Sequence, residues 1–157
     1  MHSIAVFVDV QNIYYTCRQS YGRQFDYRQL WPQLAQLGDI KYARAYAITA
    51  VDDQQRKFQD ALRHIGFEVK LKPYIQRSDG SSKADWDVGI TIDVLTLARE
   101  VDQIVLLSGD GDFALLLDAI RQQTQCQSLV YGVPALTALA LINSADEFRP
   151  ILPNLLR

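Results

Sequence analysis

Apolar and polar positions alternate along this chain in a way that separates strands from helices. Ile4 to Val8 is an unbroken apolar run, the pattern of a strand buried on both faces. A short helix or turn from Val10 to about Arg18 follows. Asp26 stands three residues before Gln29, and Leu30, Trp31, Leu34 and Leu37 recur at helical spacing up to Gly38. Tyr42 to Thr49 reads as a second strand. Asp52-Asp53 then caps a helix with Phe58, Leu62 and Ile65 on one side, closed by Gly66. Phe67 to Tyr74 alternates with charged residues, which predicts a third strand at a sheet edge.

Beyond a polar loop over residues 76–82, a helix is expected from about Asp85 to Glu100, with Ile90, Val94, Leu97 and Val101 as its buried stripe. A fourth strand covers Gln103 to Leu107, and a helix starts after Asp112. Ser128 to Tyr131 is the fifth strand. Ala135 to Asn143 reads as an apolar helix, and Glu147 to Leu152 as a last strand or coil. Strands alternating with helices imply a parallel sheet covered on both faces, a three-layer α/β/α sandwich. Right-handed crossovers favour the strand order 3-2-1-4-5. The chain then changes direction between strands one and four, and ligands sit beyond the carboxyl ends of the strands at that point.

Composition narrows the picture. With 157 residues the chain is expected to form one domain over 1–157. That length buries roughly two-thirds of its unfolded surface. No apolar run approaches the ~20 residues of a membrane span, so no membrane partner is expected. No basic region leads into a signal-like stretch, which points to a cytoplasmic protein. Cys17 and Cys126 lie far apart without zinc-binding spacing and read as reduced thiols. A net charge of −2 argues against strong sequence-independent DNA binding. A local basic rim from Arg56, Lys57 and Arg63, or from Lys70, Lys72, Arg77 and Lys83, would still suffice for nucleic acid, although each also serves simply to solvate its element.

The chemistry lies in the acids. Ser108-Gly109-Asp110-Gly111-Asp112-Phe113 puts two carboxylates on a glycine turn leaving the fourth strand. Asp9 ends the first strand, whose neighbour in the expected order is the fourth, roughly 5 Å away. Asp87 precedes Ile90 by three residues, on the first turn and buried stripe of its helix. Asp110 or Asp112 also suits a helix cap, Asp87 the helix dipole, Asp85 an N-cap, and Asn12 a local turn; Asp93 falls off the stripe and reads as solvated. Yet acids from three segments meeting at one edge cannot all ionise without a cation. Oxygen ligands suit Mg²⁺ or Mn²⁺, and such an ion beside a phosphoryl group points to phosphodiester hydrolysis. His2 and His64 fall away from this edge, and no Gly-Lys-Ser/Thr phosphate loop is present.

Three segments together, Phe7-Val8-Asp9-Val10-Gln11-Asn12, Lys83-Ala84-Asp85-Trp86-Asp87-Val88 with Asp93, and Ser108 to Phe113, resemble the motifs of NYN domains in the PIN-like nuclease superfamily, closest to the bacterial LabA-like group. The resemblance spans nearly the whole chain. It implies a Rossmann-like sheet, a Mg²⁺-dependent acidic site and ribonuclease activity. By motif, Asp9, Asp87, Asp110 and Asp112 would bind metal and Asn12 would orient a ligand or water. Ser108 and Lys83 would support substrate, Lys83 by meeting a phosphate. Many relatives have Gly where this chain has Val10, which would narrow the approach to the metal. Between Asp85 and Asp87 as ligand, the buried stripe favours Asp87.

The leading reading is a metal-dependent endoribonuclease acting on RNA, single-stranded by preference. The alternative is a non-catalytic RNA-binding or protein-interaction module that keeps the fold. A small-molecule phosphatase is disfavoured because no Asp-x-Asp-x-Thr follows strand one. Tyr14-Tyr15 and the apolar helix from Ala135 leave a homodimer open, although a core role is the simpler reading of each.

Overall fold

Two strands with no polar face form the middle of the sheet. The computed structural model describes residues 1–73, 75–76, 82–83 and 85–157, the two short pairs as backbone only. Its elements are β1 (Ser3–Asp9), α1 (Val10–Tyr21), α2 (Tyr27–Leu37), β2 (Asp39–Ile48), α3 (Asp53–Ile65), β3 (Glu68–Lys72) and the antiparallel pair β4 (Ile75–Gln76) and β5 (Ser82–Lys83). They continue with α4 (Asp87–Leu97), β6 (Gln103–Leu107), α5 (Ala114–Gln123), β7 (Gln127–Gly132), α6 (Leu139–Ser144) and β8 (Glu147–Pro150). Tyr74, the body of the polar loop at 77–81 with Arg77, residue 84 and the Lys83 side chain lie outside the described residues.

The six-stranded sheet runs β3-β2-β1-β6-β7-β8, and every pairing in it is parallel. The expected order 3-2-1-4-5 is therefore present, and the segment after Glu147 adds a sixth strand. β3 lies at the edge, as its charged alternation predicts. Along β1 and β6 the side chains divide by pleat: Ile4, Val6, Val8, Val105 and Leu107 join one core with α1, α2 and α3. Ala5, Phe7, Ile104 and Leu106 join a second core with α4, α5 and α6. Both faces are apolar, which is why these strands read as continuous hydrophobic runs.

Helix starts follow their caps. Asp26 accepts hydrogen bonds from the amides of Arg28 and Gln29, and Asp52 from Gln55. α1 is longer than expected and ends at Gly22, whose left-handed φ of 65° lets its N–H reach the Arg18 carbonyl. α4 is shorter than the expected 85–100. Its entry is fixed instead by Trp86, whose indole N–H donates to the Ala47 carbonyl at 2.8 Å and whose ring meets Tyr46 edge-on.

Four expectations about side chains and elements need correction. The helix expected over 135–143 is broken: a 3-10 turn at Pro134–Leu136 precedes extended Thr137 and Ala138, and only then does α6 begin. The Ala138 amide bonds to the Gly109 carbonyl at 3.0 Å, and the Thr137 hydroxyl bonds back to the Val133 carbonyl. These contacts outcompete helix continuation. Tyr14, Tyr15 and Leu139 are exposed rather than core. On α3 the buried stripe is Gln59 and Leu62, while Phe58 is exposed; the Gln59 amide donates to the Ile48 carbonyl. Asp93 is not simply solvated. It accepts the Tyr46 hydroxyl at 2.7 Å and pairs with Lys70 at 3.2 Å and Arg44 at 3.4 Å.

Burial alone would raise the Asp93 carboxyl, but the Tyr46 and Lys70 hydrogen bonds and the charges of Lys70 and Arg44 hold it below its ordinary value. Asp93 thus ties α4 to β2 and β3. Asp93→Ala removes the acceptor of the Tyr46 hydroxyl and of Lys70 and leaves Arg44 with Glu68 alone, and should cost about 1–3 kcal/mol in urea denaturation. A variant as stable as wild type would remove this role.

Candidate metal centre

The parallel pairing of β1 with β6 sets Val8 opposite Leu107, so Asp9 and Ser108 leave the sheet side by side. Both are buried, Asp9 at 8% exposure and Ser108 at 0%. The Ser108 hydroxyl donates to Asp9 Oδ2 at 3.1 Å and accepts the Asp110 amide at the same distance. Asn12 Oδ1 accepts the Gly109 amide at 2.8 Å. The end of β1 and the glycine turn are therefore joined by side chains of both. Ser108 and Asn12, expected as substrate contacts, first hold the acids in place; any ligand role of Asn12 would fall to its Nδ2.

Asp110 is the cap of the turn that follows, accepting the Asp112 amide at 2.9 Å. That bond leaves Asp112 exposed and pointing from the same turn. The N-cap of α4 is Trp86 and not Asp85 as expected; from one position earlier Asp85 Oδ1 accepts the Asp87 amide at 3.2 Å, with Asp87 on the first turn of α4. One carboxylate oxygen each from Asp87, Asp110 and Asp112 lies within 4.8 Å of the others. Asp9 is outside this trio and sits behind it, linked through Ser108. The trio contains neither His nor Cys.

The electrostatics match this crowding. Burial pushes the Asp9 carboxyl up to about 6, against the Ser108 hydrogen bond that favours its charged form, and the Asp110 and Asp85 charges push it further. Asp87 is raised to about 7, first by burial and then by the Asp110 carboxyl beside it, with Asp85 and Asp9 adding repulsion.

Two features of the site are visible only in three dimensions. A Cβ on Gly109 would stand 2.6 Å from the Leu136 carbonyl, one on Gly111 2.9 Å from Ala138 Cβ, and one on Gly132 2.2 Å from Thr137 Oγ1. The glycines of the turn thus admit the 134–138 segment against its back. Val10, expected to narrow the approach to the metal, instead packs in the core with Ile13 and Cys17. The signal for the first feature was present as three glycines in two separate segments, but nothing in the chain paired them. The Lys83 side chain lies outside the described residues; Lys72 Nζ donates to the Asp85 carbonyl at the entry to α4.

The folded chain holds protons on Asp9 and Asp87 that the unfolded chain releases near its ordinary carboxyl value of 3.8. The native state therefore binds more protons between about pH 4 and pH 7, and the metal-free protein loses stability as pH rises through that window. Asp87→Asn removes part of the repulsion. In EDTA at about pH 7.5 it should raise Tm by roughly 2–4 °C for each kcal/mol relieved, with little change at about pH 4.5. Thermal melts read both, and a lowered Tm at the higher pH would contradict the crowding.

Residues 3–152 match the NYN domain family. The chain is 33% identical over 153 residues to the Low amplitude and bright protein LabA of Synechococcus elongatus, covering 92% of this chain and 81% of that protein. It is 52% identical to VPA0982, a protein of unknown function from Vibrio parahaemolyticus. That crystal structure superposes with a TM-score of 0.96, covering 99% of this chain and 96% of the other. The resemblance carried by the three acidic motifs is thus matched by identity along nearly the full length, and the chain belongs to the NYN domain family, with its PIN-like nuclease fold.

Proposed function

We propose that this protein is a divalent-metal-dependent endoribonuclease that hydrolyses RNA phosphodiester bonds at the Asp87, Asp110 and Asp112 cluster. The observation that supports it most directly is the meeting of three carboxylates from two separate elements within 4.8 Å, with a fourth, Asp9, behind them. An all-oxygen donor set of this kind suits a hard ion such as Mg²⁺ or Mn²⁺ that keeps several waters. It does not suit the N and S ligands that zinc prefers. The raised Asp9 and Asp87 carboxyls favour the same reading, because a cation would let both ionise at neutral pH.

In this scheme Asp87, Asp110 and Asp112 hold the ion, with Asp9 as a fourth acidic group behind them. The bound ion would polarise a phosphoryl oxygen and lower the pKa of a coordinated water. Ser108 keeps Asp9 and the Asp110 backbone in register, and Asn12 keeps the turn against β1 while its Nδ2 orients a water or phosphate oxygen. Lys83, by its place in the second motif, would meet a phosphate. Val10, which would narrow the approach to the metal, packs in the core instead of over the acids, so it gives no support to a non-catalytic module.

Cleavage of a single-stranded RNA in Mg²⁺ or Mn²⁺ tests the proposal. Asp110→Asn and Asp9→Asn should each lower the rate at least about a hundredfold, in line with loss of a charge-stabilising group, and EDTA should abolish cleavage. Equal activity in wild type and both variants would mean a contaminating nuclease. Retention of RNA by wild type without cleavage would favour the binding module.

A further inference from the structure

A cleft of about 700 Å³ opens beside the acids, between the first turns of α1, the Gln24–Tyr27 segment and the start of α3. It begins at Val10 and Gln11, the residues immediately after Asp9, and its floor is the carboxyl end of β2 at Ala47 and Ile48. Asp9 pairs with Tyr46 of β2. The cleft and the carboxylates therefore lie at the same edge of the sheet, the cleft on the face covered by α1 and α3 and Asp87 on α4 of the opposite face.

Its lining is unusual for a protein surface. Tyr14, Tyr15 and Phe58 expose 46%, 62% and 39% of their area. The same cleft is lined by Gln11, Gln24 and Gln54. Aromatic faces interleaved with groups that both donate and accept hydrogen bonds are what unstacked nucleobases require. The charged side chain in the lining, Asp52, is committed to capping α3 through the Gln55 amide at 2.8 Å. Among the described residues no cation lines the cleft to take a phosphate, so the chemistry suits bases and not the backbone. Arg18 stands over the Tyr14 ring at 5.9 Å and brings a positive charge to the rim.

We infer that this cleft is a nucleobase subsite, in which unpaired bases next to the cleaved phosphodiester stack on Tyr14, Tyr15 and Phe58. The inference rests on the ribonuclease reading for the position of the phosphate, and it adds where the flanking bases go. A strand passing from the acids into the cleft would need its bases splayed from their partners. The subsite would thereby select single-stranded over duplex RNA by shape and stacking, with little dependence on base identity.

The test uses anisotropy of a fluorescein-labelled single-stranded RNA decamer of mixed sequence, titrated with the full chain carrying Asp110→Asn in Mg²⁺. Adding Tyr15→Ala should weaken binding roughly tenfold, the loss of one stacked base. Tyr15→Phe, which keeps the ring, should restore it. A decamer of the same ribose-phosphate backbone without bases should bind at least about tenfold more weakly. Tyr15 is exposed enough that its truncation leaves the core intact. Unchanged affinity in Tyr15→Ala, equal binding of the abasic decamer, or no binding of RNA at all overturns the subsite. The two readings fail separately. Base-dependent binding by a wild type that never cuts RNA would keep the cleft and remove the nuclease. Cleavage with the same KM in wild type and Tyr15→Ala would keep the nuclease and remove the cleft.

Discussion

Parallel pairing of two strands with no polar face is the constraint on which the rest depends. Because β1 and β6 run in the same direction and are neighbours, their carboxyl ends must emerge together. Whatever follows them is brought side by side, here Asp9 and the Ser108 turn. Because both strands are covered on both faces, neither can slip by one residue without turning an apolar row into the wrong core. The position of the acids is thus fixed by hydrophobic burial several residues away. The repulsion among them is a cost imposed on the fold by that burial, and the hydrogen bonds of Ser108, Asn12 and Asp85 hold them against it.

The same geometry explains the distribution of the acidic groups. Asp9 is at the end of a strand and becomes buried, so its carboxyl is raised mainly by loss of water. Asp112 leaves on the solvent side of a turn capped by Asp110 and stays exposed. Asp87 lies between these extremes, on a first helical turn, and is raised by burial and by its neighbour together. Asp9 and Asp87 thus owe their raised carboxyls to the elements that present them. A cation would meet one trio at the mouth and one carboxylate at the back.

Much of this arrangement was legible in the chain, for identifiable reasons. The runs Ile4–Val8 and Ile104–Leu107 are continuous because two layers cover them, so the sheet centre could be read directly. Asp26 and Asp52 announce helices because their caps are local. Asp87 could be placed by its offset from Ile90, again within one helix. What failed was non-local. The apolar stretch after Ala135 has the composition of a helix, and the bond from Ala138 to Gly109 that breaks it joins residues far apart in sequence. Asp93 looked solvated because Arg44, Tyr46 and Lys70 come from strands on other parts of the chain. Tyr14 and Tyr15 looked like core because hydrophobic size says nothing about which side of a helix remains uncovered.

The packing of residues 134–138 against the glycine turn bears on how the acids would respond to a ligand. A loop carrying two carboxylates is normally free to sway, and an ion that captures it must first arrest that motion. Here Leu136, Thr137 and Ala138 fill the space a side chain at Gly109 or Gly111 would occupy, so the turn is wedged from behind by a segment that belongs to the far end of the chain. The order is supplied during folding. Ion capture would then release water and neutralise charge without freezing backbone, and the entropy of that event would come almost wholly from solvent.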